Sequence, residues 1–209
     1  MEKLMKDKYY ISRDVLDSTT INRILNGPIS WNHKLSNTRS QKKTWNGCLN
    51  ITDGDVKYFG KVKLPCGRMD INLPITLVQE FGLCEKSILR SFPKGFRIAS
   101  YQLLITPCSD ETQTWHQDHG GLGPDDYYTL LIPLVDIPGM GKTKVKIPYT
   151  KDFDKHAKTI TPDVTIGDGL LFSGSLWHKG TANVSNSPRY CLYLVISNAP
   201  SEKLFETWK

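Results

Sequence analysis

From residue 97 onward the chain is written in short apolar runs broken by turn residues, and no other feature limits its fold as strongly. The runs are RIASYQLLIT (97–106), YYTLLIPLV (127–135), TKVKIP (143–148), GLLFSG (169–174) and RYCLYLVIS (189–197), with Gly, Pro, Asn and Asp between them. Runs of this length and spacing are the strands of a β sandwich or barrel. No helix-length pattern lies between them, which argues against parallel βαβ units.

The first ninety residues read differently. SRDVLDSTTINRILNG (12–27) places Val15, Leu16, Ile21, Ile24 and Leu25 at helical spacing and is stopped by Gly27-Pro28. LPITLVQEFGLCEKSILRSF (73–92) predicts a second helix, weakened or split at Gly82. Both are expected to pack against the β region. At 209 residues the chain suits one domain with a real core. Its expected organisation is a helical and irregular support over 1–95, a β core over 96–198 and a tail over 199–209. No apolar run reaches the length of a membrane span. The opening MEKLMKDKYY is charged and lacks a signal-peptide stretch, so a cytoplasmic location is expected. Cys48, Cys66, Cys84, Cys108 and Cys191 show no CxxC spacing and read as free thiols rather than a zinc finger. A net charge of +6 suits an anionic partner or substrate. The basic clusters RSQKKTW (39–45) and GKTKVKIP (141–148) are short, and no aromatic-basic stripe of an RNA-binding sheet is present.

One stretch carries chemistry. ETQTWHQDHGG (111–121) follows a predicted strand and sets His116 and Asp118 two positions apart. In extended backbone such residues share a face and converge on one point. His178, at the end of GDGLLFSGSLWH, is the candidate third ligand. Two imidazoles and a carboxylate fill one face of an octahedron and leave the other open, the donor set of non-haem iron(II) oxygenases. Arg189 opens the last run and offers a permanently charged, bidentate fork for the far carboxylate of a 2-oxo acid. Taken singly, each has an ordinary reading: a polar loop, a half-buried structural histidine, a surface arginine. Trp115 and Trp177, each one position before a ligand, are expected to pack behind the site.

QTWHQD, YYTLLIPLVDI, GKTKVKIPYT and GDGLLFSGSLWHKGTANVSNSPRYCLYLVIS follow in order over about residues 95–198. This ordered set resembles the phytanoyl-CoA dioxygenase-like family of Fe(II)/2-oxoglutarate-dependent oxygenases. The resemblance implies a mainly β (α+β) fold: a double-stranded β-helix, or cupin-like jelly roll, with flanking N-terminal helices. It implies Fe(II) held by His116, Asp118 and His178, 2-oxoglutarate anchored by Arg189, and O2 as oxidant. Gln102, Tyr101 and Thr129 fall on strands expected to line the cofactor cavity. Gln113, His119, Asn183 and Ser185 fall where the family shapes the substrate entrance or braces its loops, and segments 107–128 and 149–165 are expected to form the mouth. Many members carry Ser or Thr two positions after the distal histidine. This chain has Gly180, so that hydrogen bond must come from elsewhere. CGRMDINLP (66–74) takes no role from the resemblance. The implied reaction is hydroxylation of a small molecule, which the charge permits to be anionic, with release of succinate and CO2. Two alternatives stay open: the same chemistry on nucleic acid (a pyrimidine-base hydroxylase) or protein, and a jelly-roll binding module without catalysis.

Overall fold

The computed structural model describes residues 8–26, 49–51, 58–59, 62–63, 68–73, 78–79, 81–90, 92–118, 126–136, 142–147 and 157–199. Seven strands form one antiparallel sheet. In spatial order they are β1 (Tyr9–Ser12), β10 (Gly169–Ser173), β7 (Tyr127–Pro133), β12 (Arg189–Ser197), β6 (Arg97–Thr106), β5 (Met69–Asn72) and β2 (Leu49–Ile51). A smaller antiparallel sheet runs β11 (His178–Gly180), β8 (Thr143–Ile147), β9 (Lys158–Ile160), and β3 (Tyr58–Phe59) pairs with β4 (Val62–Lys63) as a short ribbon.

Strand alternation divides the large sheet into two apolar faces. On the back, Leu103 and Ile105 of β6, Leu130 and Ile132 of β7, and Leu192, Leu194 and Ile196 of β12 join one buried cluster with Leu16, Ile21 and Ile24. Fully burying one such side chain stabilises the fold by about 1.5–3 kcal/mol. On the front, Leu170 and Phe172 of β10 pack with Val145 of β8 and Leu176, and Tyr9, Ile11, Leu131 and Ile160 complete that cluster. The front cluster joins the two sheets. They face each other in jelly-roll fashion, as an open pair rather than a closed barrel.

The long runs predicted as strands are strands: β6, β7, β8, β10 and β12 cover them to within two residues. The N-terminal region differs from the expectation of a helical and irregular support, because it donates β1, β5 and β2 to the large sheet. The predicted helix over 12–27 shortens to α1 (Ser18–Asn26). Tyr9–Ser12 pairs with β10, Asp14 turns the chain at φ 53, and Asp17 caps α1 by accepting a 2.7 Å bond from the Thr20 amide. Over 73–92 the described helix is α2 (Glu85–Leu89), and Gly82 sits at φ 78 between it and the helical pair Val78-Gln79. His178 does not end the β10 run. A turn through Gly174 and Ser175 separates them, and His178 opens β11 in the other sheet. Cys84, Cys108 and Cys191 are free thiols, whereas Cys48 and Cys66 lie outside the described residues. Among the described residues no helix is long and apolar enough to cross a membrane.

Candidate metal centre

His116 lies one strand-width from His178. Their backbones form an isolated antiparallel bridge, with each amide donating to the other's carbonyl at 3.0 and 2.9 Å. The Asp118 amide donates to Gly174 O at 2.9 Å, which anchors the other end of the short segment. Extended backbone from 116 to 118 then turns both side chains to one point. The donor atoms of His116, Asp118 and His178 all lie within 4.8 Å of one another. Asp118 Oδ1 is 3.8 Å from His116 Nε2 and 3.5 Å from His178 Nε2.

The ring tautomers follow from the hydrogen bonds. His116 Nδ1 is 2.9 Å from Thr114 O, and His178 Nδ1 is 3.0 Å from Leu176 O. A carbonyl can only accept, so each Nδ1 carries a proton and each Nε2 is the ring nitrogen turned toward Asp118. Burial, and then the charge of His178, push His116 down to about 4, so this imidazole is neutral near pH 7. The His178 ring rests on Phe172, with centroids 4.6 Å apart.

Asp118 is oriented from behind. Thr129 Oγ1 donates to Oδ2 at 2.8 Å and Tyr193 Oη donates to the same oxygen at 3.3 Å. Oδ1 is left to face the two imidazoles. Tyr193 in turn accepts from Tyr127 Oη at 3.3 Å. Burial, and then the charge of Asp118, raise both phenols, so they stay protonated and donate. Burial alone would raise Asp118. The two histidines and the two hydroxyl donors outweigh it, and the carboxyl lies below its ordinary value. Two imidazole nitrogens and one anionic oxygen, with the carboxylate pinned by its outer oxygen, fit a divalent metal such as iron(II).

Arg189 stands on the same face of β12 as Tyr193. Its Nη1 donates to Thr181 O at 3.2 Å and its Nη2 to Thr106 Oγ1 at 3.4 Å. Burial lowers it from its ordinary value, with the charge of Arg68 acting in the same direction. A side chain at position 180 would have to displace the end of Gln113. A Cβ on Gly180 would meet Gln113 Oε1 at 2.7 Å and Arg189 Nη2 at 3.4 Å. Gln113 Oε1 instead accepts from the Gly180 amide at 2.7 Å. The buried hydroxyl of Thr106, on the neighbouring strand, takes the place beside the guanidinium.

No family model matches the chain, and no curated protein matches its sequence. Solved structures do match. AviO1 from Streptomyces viridochromogenes Tue57 is similar at 16% identity and TM-score 0.67, over 94% of this chain and 92% of that one. The non-heme alpha-ketoglutarate-dependent epimerase SnoN of nogalamycin biosynthesis matches at 14% identity and TM-score 0.63, over 96% and 82%. A prolyl hydroxylase from Trichoplax adhaerens, in complex with a hypoxia-inducible-factor peptide, matches at 15% identity and TM-score 0.60, over 97% and 89%. At these identities the likeness shows the fold alone, a jelly-roll architecture shared with these solved structures, and does not single out the phytanoyl-CoA dioxygenase-like branch.

Of the residues singled out from sequence, His116, Asp118 and His178 come together, and Arg189, Gln113 and Thr129 lie on their side of the large sheet or against it. Thr129 touches the carboxylate of Asp118. Gln102 pairs across the sheet with Tyr193 and so shares its face. Tyr101 does not, because one step along β6 reverses the face and its ring joins the back cluster. Asn183 is buried and braces the loop before β12. Its Nδ2 donates to Thr106 O at 3.1 Å and Ser187 O at 2.9 Å, and its Oδ1 accepts from Ser185 Oγ at 2.7 Å. Trp115 is half-buried with the ammonium groups of Lys146 and Lys179 4.9 and 5.0 Å from its ring, on the outside of the small sheet. His119 lies outside the described residues, as do parts of both expected mouth segments and residues 200–209. Tyr193, Tyr127 and Thr106 are the site residues that sequence reasoning missed. Each sits in a recognisable strand, and the signal that finds them is their parity relative to Thr129 and Arg189.

Proposed function

We propose that this protein is an Fe(II)- and 2-oxoglutarate-dependent dioxygenase that hydroxylates a small-molecule substrate. The observation that carries the reading is the triad itself: one carboxylate oxygen faces the Nε2 atoms of both imidazoles while its other oxygen is held by Thr129 and Tyr193. When bound, iron(II) and 2-oxoglutarate supply oxygen activation, coupled to oxidative decarboxylation of the 2-oxo acid to succinate and carbon dioxide. His116 and His178 would hold the metal through imidazole nitrogen and Asp118 through its carboxylate oxygen. Thr129 and Tyr193 hold Asp118 in its orientation without giving up their protons. Arg189, with Thr106 beside it, receives the far carboxylate of 2-oxoglutarate, and Gln102 lines the same face. Gln113, Asn183 and Ser185 keep the strands and loop around Arg189 in place. Phe172, its ring centroid 4.6 Å from that of His178, forms an apolar wall beside it, which strengthens the electrostatic interactions of the site.

The test uses untargeted mass spectrometry on small-molecule extracts incubated with protein, Fe(II), 2-oxoglutarate and oxygen-18 gas. A product gaining labelled oxygen with wild type, and absent with His116→Ala or Asp118→Ala, is the expected result. SnoN is an epimerase, and SnoK, another structural neighbour, is a carbocyclase. A product altered without label would replace hydroxylation by chemistry of that kind. Wild type that binds no iron and forms no succinate would sink the enzyme reading.

A further inference from the structure

Arg68 is a basic residue to which neither the spacing of motifs nor the resemblance gave a role. Its position follows from sheet register. Met69 pairs with Ile105 and Arg189 pairs with Thr106, so continuing the first pairing by one residue sets Arg68 opposite Thr106. Arg68, Thr106 and Arg189 then lie on one rung across β5, β6 and β12. Directly paired residues point to the same face of a sheet, and strands lie about 4.8 Å apart. The two arginines therefore start roughly 10 Å apart with a buried hydroxyl between them, a gap that two long side chains can close on a single small anion.

The electrostatics agree with that placement. The positive charge of Arg68 acts on Arg189 and on the Cys191 thiol. Cys191 stands two residues beyond Arg189 on the same face. A charge felt at both agrees with the face that the register gives Arg68. Two cations on one rung repel each other, and a bound carboxylate offsets that repulsion.

We propose that Arg68 is a second anion-holding residue that joins Arg189 and Thr106 in gripping the far carboxylate of the 2-oxo acid cosubstrate. The proposal rests on the 2-oxoglutarate reading and assigns part of that recognition to the segment before β5.

The experiment is an anaerobic titration of Fe(II)-loaded protein, followed by calorimetry and by the visible absorption of the complex. The two probes are 2-oxoglutarate and 2-oxobutyrate, which has the same 2-oxo acid head and no far carboxylate. Arg68→Gln should weaken 2-oxoglutarate about tenfold or more, the worth of one charge-assisted hydrogen bond, and leave 2-oxobutyrate within about twofold. Arg68→Lys, which keeps the charge without the fork, should recover part of the loss. Thermal unfolding of both variants checks that they fold, and either variant alone suffices for the comparison. Equal weakening of both probes, or no weakening of either, overturns the proposal. A wild-type protein that binds neither probe overturns the 2-oxoglutarate reading itself, which is a separate outcome.

Discussion

Asp118 owes its orientation to donors on two adjacent strands, Thr129 of β7 and Tyr193 of β12, that reach the same oxygen. Removing either donor frees the carboxylate to rotate and lets Oδ1 leave the line of the imidazoles. Tyr193→Phe and Thr129→Val should each weaken Fe(II) binding about 10–100-fold, read by anaerobic metal titration, while the circular dichroism spectrum stays that of wild type. Unchanged affinity in both would mean that Asp118 needs no outer support. The convergence of His116 and Asp118 was legible, because a two-residue spacing in extended backbone has one geometric consequence. Their supports were not. Thr129 could be named but its contact could not, since a run such as YYTLLIPLV is apolar on both faces and does not disclose which way Thr129 points. Tyr101 was misplaced for the same reason, and Tyr193 lies hidden in RYCLYLVIS as one more aromatic.

β10 is tied at its start to the chain that precedes α1. The Leu16 amide donates to Gly167 O at 3.0 Å, and Gly167 holds φ +80 with Leu16 O 2.5 Å from where its Cβ would stand. Gly167→Ala meets both a backbone clash and a left-handed conformation, and should cost about 1–3 kcal/mol in a urea titration. The adjacent Asp168 accepts from the Asp14 amide at 3.1 Å, from Thr165 Oγ1 at 2.6 Å, and from Arg13. Burial would raise this carboxyl, but those donors together hold it at about 2, below the ordinary value of 3.8. A carboxyl lowered in the folded state contributes stability above its unfolded value and loses it as pH falls through the folded one. The stabilising contribution of Asp168 should therefore be full above about pH 4 and fade toward pH 2. Asp168→Asn should destabilise clearly at pH 7 and much less at pH 2.5. A pH-independent difference would refute the linkage. The Gly-Asp pair was visible in the sequence as a turn, but its tie to the N-terminal strand was not. β1, β5 and β2 have four residues or fewer, and segments so short owe their extended form to the neighbours that pair with them rather than to their own pattern.

Seen whole, the large sheet separates support from chemistry. Its back face is a greasy layer against α1, and its front carries the cluster that joins the small sheet and touches His178. Truncations on the two faces should behave differently. Leu194→Ala, on the back, should cost about 2–5 kcal/mol of stability and leave the iron affinity of the folded protein unchanged. Phe172→Ala, on the front, should cost about 3–5 kcal/mol and also weaken iron binding, because the ring beneath His178 is gone. Chemical denaturation and metal titration of the same samples separate the two effects. If both variants lose metal affinity alike, the division between the faces is wrong. Heredity, too, is touched by the way the centre is built. Both imidazoles are steered by peptide carbonyls, those of Thr114 and Leu176, and every amino acid supplies a carbonyl. Codon changes at these two positions cannot delete the steering groups, so the nitrogens keep their aim through them, while the letter at Leu176 answers separately to the buried cluster its side chain fills.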